Sequence, residues 1–141
     1  MTRDERQSLS VQKWVDNKCQ GIIHGCTGYG KTRCALLAIK RFLNKNPSKK
    51  VLIVVPNEPL LKQWNAEILD WGFSYNCEVV TMNESSKDSK EIITDLLIID
   101  ECHKILAPTL IKVFKVVRYK MLLCLTATLI RVDRMHNYFI Q

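Results

Sequence analysis

The chain is predicted to be an α/β domain with a mainly parallel sheet, on three observations. Short apolar runs alternate with longer stretches of helical periodicity. The runs are apolar throughout instead of alternating with polar residues, and the first ends in a glycine-rich turn that leads straight into a helix. A strand that is apolar at every position is covered on both faces, and helices on both faces of a sheet go with parallel crossover connections.

Taken in order, Gly21–His24 is the first strand. From Lys31 to Leu43, the residues Leu36, Ile39 and Leu43 recur at helical spacing. The pattern breaks at Asn44–Ser48, where Pro47 cannot continue a helix. Val51–Val55 is a continuous apolar strand. Asn57 then suits an N-cap, and Pro59 suits the first helical turn. Leu61, Trp64, Ile68 and Trp71 form one apolar stripe, so Trp64 and Trp71, like Trp14, are read as core and not as base-stacking platforms. Cys77–Met82 is a weaker strand and Asn83–Lys90 a polar loop. Leu96–Ile99 is the strongest buried strand, and Tyr119–Leu125 is the last. No internal repeat or linker divides the chain.

Bulk properties agree with one globular domain. The 141 residues are 47% hydrophobic and 25% charged, a balance that excludes a disordered chain. No apolar run approaches the length that spans a bilayer, and the start, MTRDERQSLS, is polar, so no membrane partner is expected. The six cysteines include no CxxC pair and lie mostly in apolar or motif segments. This favours free thiols in a reducing compartment over disulfides or zinc, hence a soluble intracellular protein. Of the net charge of +7, nearly all sits between Lys104 and Arg134, where seven basic residues face the single acid Asp133. Such a cluster is either a solvated face or an attraction for polyanions such as nucleic acid.

The segment GCTGYGKT, Gly25 to Thr32, fits the phosphate-loop pattern GxxxxGK[ST] in its required setting, after a strand and before a helix. By composition that pattern arises by chance in roughly one chain in a hundred of this length, so coincidence is a poor explanation. Across Gly25, Cys26, Thr27, Gly28, Tyr29 and Gly30, backbone N–H groups can turn toward phosphate oxygens, aided by the helix N-terminus. Lys31 is expected to reach the β- and γ-phosphates of ATP, and the Thr32 hydroxyl to hold Mg²⁺. Cys26 is read as a small loop residue.

Downstream, LLIIDECH (Leu96 to His103) carries two carboxylates at the carboxyl end of a buried strand, the edge where ligands sit in such sheets. Asp100 is placed to bind Mg²⁺, and Glu101 to orient and deprotonate an attacking water. LTAT, Leu125 to Thr128, follows another apolar strand. Alone it is a threonine-rich turn; its order after the first two motifs gives it value.

The ordered set GCTGYGKT, VVPNEPLLKQW, DECH and LTAT resembles the first RecA-like lobe of a superfamily 2 helicase. Pro56 to Trp64 is similar to P-T-x-x-L-x-x-Q-W, and LTATLIRVDRMH to L-T-A-T-P-x-R-x-D-G. Both are forms found in XPB-type DNA helicases and their relatives in restriction enzymes and large DNA viruses. The resemblance runs from Gln7 to about Phe139. It implies a P-loop NTPase with a RecA-like three-layer fold over residues 1–141, and ATP hydrolysis coupled to movement along DNA in preference to RNA. The implied setting is the cytoplasm or nucleus, or a virus-infected cell. It also implies roles for individual residues. Gln7 would read the adenine, His103 would link the nucleotide site to the rest of the machine, and Thr126 and Thr128 would couple hydrolysis to strand movement. Pro56, Asn57, Thr81 and Arg131 would lie along the nucleic-acid backbone.

The sequence departs from the family at three places: Asn57 replaces the usual threonine, Leu129 the usual proline and Arg134 the usual glycine. Trp71 to Cys77 is also short, enough to remove a peripheral strand. The family works with a second RecA-like lobe, in cis or in trans, which supplies arginines to the γ-phosphate. It is expected to lie outside this chain, leaving hydrolysis weak in isolation. The alternative from another class is a non-catalytic module that binds nucleic acid or a partner and keeps a relic nucleotide site. An unrelated P-loop NTPase such as a nucleotide kinase fits less well, because DECH and LTAT have no place in it.

Overall fold

The computed structural model of the chain describes residues 3–16, 20–24, 29–82, 91–101 and 107–126. Among these residues the elements follow in the order α1 (Arg3–Asp16), β1 (Gln20–His24), α2 (Tyr29–Lys45), β2 (Val51–Val55), α3 (Glu58–Trp71), β3 (Cys77–Thr81), β4 (Ile92–Ile93), β5 (Leu96–Ile99), α4 (Ala107–Val116), β6 (Val117–Arg118) and β7 (Met121–Thr126). Five strands form one sheet in the order β1-β7-β5-β2-β3, and every pairing in it is parallel. The predicted Cys77–Met82 strand ends one residue early at Thr81. The predicted Tyr119–Leu125 strand begins only at Met121, because Val117–Arg118 turn aside to pair with Ile92–Ile93 as a separate two-stranded ribbon. The polar loop predicted at Asn83–Lys90 lies outside the described residues.

The sheet is covered on both faces, as its continuous apolar strands require. Val51, Ile53 and Val55 of β2, Leu96 and Ile98 of β5, and Leu123 and Leu125 of β7 point into one core. Val11 and Trp14 of α1, the α2 stripe Leu36, Ile39 and Leu43, and Trp64 and Ile68 of α3 complete it. The alternate residues Leu52, Val54, Leu97, Ile99, Leu122 and Cys124 point the other way, onto Leu110 and Val113 of α4. A strand sends successive side chains to opposite faces. Two apolar cores on one sheet therefore demand strands with no polar position, and the result is three layers: helices, sheet, helix.

Helix α3 is bounded as its sequence predicts. The Asn57 side chain accepts a hydrogen bond from the Leu60 N–H at 3.1 Å, and Pro59 sits in the first turn. Gly72 closes the helix in the left-handed region at φ 79°, where an L side chain is disfavoured, and its N–H bonds the last carbonyls. Trp14 and Trp64 are both buried, and Trp71 is half-buried against the same core. Trp14 also donates its indole N–H to the Leu122 carbonyl at 2.8 Å, tying α1 to the sheet.

At the amino edge of the sheet a second set of bonds fixes the strand starts. The Lys50 N–H donates to Asp95 Oδ2 at 2.9 Å, and the Met121 N–H donates to the Asp95 carbonyl at 2.9 Å. Among the described residues no helix is long and apolar enough to cross a membrane.

Candidate functional site

Three adjacent strands, β1, β7 and β5, deliver the three motifs to one edge. In register, His24 at the end of β1 stands opposite Thr126 at the end of β7, and Ile99 at the end of β5 stands opposite Cys124. The phosphate-loop segment therefore leaves β1, LTAT leaves β7 and Asp100–Glu101 leave β5, all at the carboxyl edge. Neighbouring strands lie about 4.8 Å apart, so β1 and β5 are separated by roughly 10 Å, a gap that triphosphate and cation can bridge. This edge is where open parallel sheets hold ligands.

Helix α2 opens at Tyr29, which puts Gly30, Lys31 and Thr32 in its first turn, where N–H groups have no partner within the helix. That turn carries no acidic residue, so no carboxylate of its own competes with an anion for the positive end of the helix dipole. Thr32 is buried.

Asp100 is 1% exposed, a burial that a carboxylate tolerates only with hydrogen-bond donors around it. One donor is the Trp64 indole, whose Nε1–H meets Asp100 Oδ2 at 2.8 Å. The Asp100 N–H extends the β-ladder by donating to the Val54 carbonyl at 2.9 Å. Glu101 follows with φ 53°, in the left-handed region. A non-glycine residue there costs about 1–2 kcal/mol, and such outliers concentrate at functional sites. The strand ends at Ile99, and this left-handed turn at Glu101 takes the chain off the strand direction. Glu101 is half-buried.

The remaining predicted site residues divide by position. Gln7 lies on α1 and Thr126 ends β7. Pro56 and Asn57 lie between β2 and α3, also at the carboxyl edge, with the Asn57 side-chain Oδ1 engaged as the helix cap. Thr81 ends the edge strand β3 and is buried. Gly25, Cys26, Thr27, Gly28, His103, Thr128 and Arg131 lie outside the described residues. The basic cluster is divided by the fold: Lys112 and Lys115 are exposed along α4, while Arg118 and Lys120 lie at the amino edge, Arg118 paired with Glu91. Sequence reasoning missed Trp64 as a partner of the site. It lies 36 residues from Asp100, and no local pattern links an indole to a distant carboxylate.

A three-layer parallel α/β fold whose adjacent strands present a phosphate loop, an acidic pair and a threonine motif at one edge defines the first RecA-like lobe of a superfamily 2 helicase. The family model described as "Type III restriction enzyme, res subunit" matches residues 2–95 and 81–131. The chain belongs to that family. Among solved structures it is similar to the SWI2/SNF2 ATPase core of Sulfolobus solfataricus, solved in complex with dsDNA, with a TM-score of 0.72 and 20% identity. The match covers 91% of this chain and 31% of that one, so the chain spans about a third of the length of that ATPase core. Comparison with curated proteins finds no match.

Proposed function

We propose that residues 1–141 form the ATP-binding lobe of a nucleic-acid-dependent ATPase that couples hydrolysis to movement along DNA. The observation that carries this reading is the convergence of three motif-bearing strands, β1, β7 and β5, on one sheet edge. Lys31 holds the β- and γ-phosphates, with the loop amides from Gly25 to Gly30 around them. Thr32 and Asp100 hold Mg²⁺; both offer hard oxygen donors, the preferred ligands of that ion. Among the described residues no group of three or more His, Cys, Asp or Glu could hold a metal. When bound, Mg²⁺ neutralises charge developing on the phosphates. Glu101, turned aside by its left-handed backbone, orients the attacking water and takes its proton.

Thr126, Thr128 and His103 relay the state of the nucleotide, and Gln7 contacts the adenine. Pro56 and Asn57 meet the nucleic-acid backbone at the carboxyl edge, with Arg131 and, at the end of β3, Thr81 alongside. DNA is favoured because the SWI2/SNF2 core of similar fold was solved with dsDNA. Contacts to the backbone suit a motor that does not read sequence. A second RecA-like lobe supplies the arginines that complete the site, worth about a thousandfold or more in turnover. The test is ATP turnover with DNA once that lobe is provided, in cis or in trans. DNA-stimulated turnover that Glu101→Gln abolishes is expected; turnover no higher than the Glu101→Gln control removes the catalytic assignment.

A further inference from the structure

The buried contact between Trp64 and Asp100 is not explained by packing alone. Trp64 is 1% exposed and belongs to the core cluster beneath α2 and α3, where its ring could be packed with the indole N–H bonded to any nearby acceptor. Its one polar atom nonetheless meets Oδ2 of the carboxylate that terminates β5. A buried indole N–H requires an acceptor, and a main-chain carbonyl serves Trp14 in that way. For Trp64 the acceptor is the carboxyl side chain at the carboxyl edge of the sheet.

We propose that Trp64 is a positioning residue for the Mg²⁺ site: its indole N–H locks the Asp100 carboxylate in the rotamer that receives the cation. This inference rests on the reading of Asp100 as a metal residue. A carboxylate has two oxygens and a freely turning terminal bond, so a donor on Oδ2 fixes where Oδ1 lies. The donor is itself held rigidly. Trp64 sits on α3, which Asn57 caps two turns earlier, about 10 Å along the axis. Gly72 closes the other end of the helix. A helix anchored at both ends and packed on the sheet thus carries the orientation of the carboxylate. Outer partners of this kind are worth about tenfold to a hundredfold in metal affinity.

The test uses the full chain and a non-hydrolysable ATP analogue. Trp64→Phe keeps most of the ring volume and removes the N–H. The concentration of Mg²⁺ that half-maximally strengthens analogue binding is expected to rise at least about tenfold. Binding without Mg²⁺, which depends on Lys31 and the loop, should not change. An unchanged Mg²⁺ requirement in a folded variant overturns the proposal. A second measurement needs no variant at the site. The chain has three tryptophans, so its ¹⁵N spectrum holds three indole signals, assignable through Trp14→Phe and Trp71→Phe. Adding Mg²⁺ to the analogue-saturated chain should move the Trp64 signal and leave that of Trp14, which reports on a main-chain carbonyl. A Trp64 signal indifferent to Mg²⁺ while Mg²⁺ strengthens analogue binding overturns the proposal and leaves the nucleotide site standing. If the unmodified chain binds no analogue, the functional reading itself fails and this inference with it.

Discussion

At Asn57 a structural and a proposed functional role can be separated by exchanging one heavy atom. Its side-chain oxygen accepts from the Leu60 N–H at 3.1 Å, and the proposed contact with a nucleic-acid phosphate would use the amide NH₂ of the same group. Asn57→Ala removes both. Losing an N-cap costs about 1 kcal/mol, which lowers the melting temperature of a domain this size by about 3 °C. Asn57→Asp keeps the capping oxygen, and its charge suits the positive helix end, so its melting temperature should stay within about 1 °C of the parent. The same charge repels phosphate. At 4 Å in water the repulsion is about 1 kcal/mol, and about 4 kcal/mol at the lower effective dielectric of a protein surface. DNA affinity should therefore fall at least about fivefold. Thermal melts and fluorescence anisotropy with labelled duplex DNA at low salt read the two effects separately. If Asn57→Asp melts as low as Asn57→Ala, the capping argument is wrong. If it binds DNA as the parent does, Asn57 makes no backbone contact.

Two further outcomes follow from local geometry. Glu101→Gly relieves the left-handed backbone at φ 53°, a gain of about 1–2 kcal/mol offset by about 0.5–1 kcal/mol of glycine entropy, so the chain should unfold at the same or a higher denaturant concentration. A clearly lower midpoint would refute stored strain at that residue. Burial pushes the Cys77 thiol from its ordinary 9.0 up to about 12. From about pH 8 upward the unfolded chain therefore releases a proton that the folded chain keeps, and stability falls as pH rises toward 12, by about 1.4 kcal/mol at pH 10, with no effect well below pH 8. Tyr119, raised by burial and then by Cys124, acts in the same direction. The Cys77 share is thus the difference between the parent and Cys77→Ala. Equal slopes in the two would contradict it.

The parts of the fold that a sequence exposes are those in which local rules act without help. Val51–Val55 and Leu96–Ile99 are apolar at every position because both faces are buried, and the structure reproduces their limits. Helix α3 announces itself by an N-cap, an early proline and a four-residue stripe. Helix α1 does not: among its described side chains Val11 and Trp14 are buried while Leu9 is exposed, in a segment whose polar residues outnumber its apolar ones. Helix α4 was hidden for a related reason. Lys112 and Lys115 stand among its apolar residues, so the segment reads first as charge and only the packing of Leu110 and Val113 under the sheet reveals an amphipathic helix. The ribbon of β4 and β6, two residues each, is set by tertiary pairing that no periodicity can signal. At the candidate site the motifs were legible because phosphate and cation chemistry restrict residue type. The Trp64–Asp100 bond was not, because it depends on where α3 packs on the sheet relative to the end of β5.

The central claim is that this lobe holds a nucleoside triphosphate through Lys31, and equilibrium binding of an ATP analogue with Mg²⁺ to the chain tests it most directly. Saturable binding is expected, weakened at least about tenfold by Lys31→Ala, since a charge-assisted hydrogen bond contributes about 1.5–3 kcal/mol. Binding that is absent, or that survives Lys31→Ala undiminished, would contradict it.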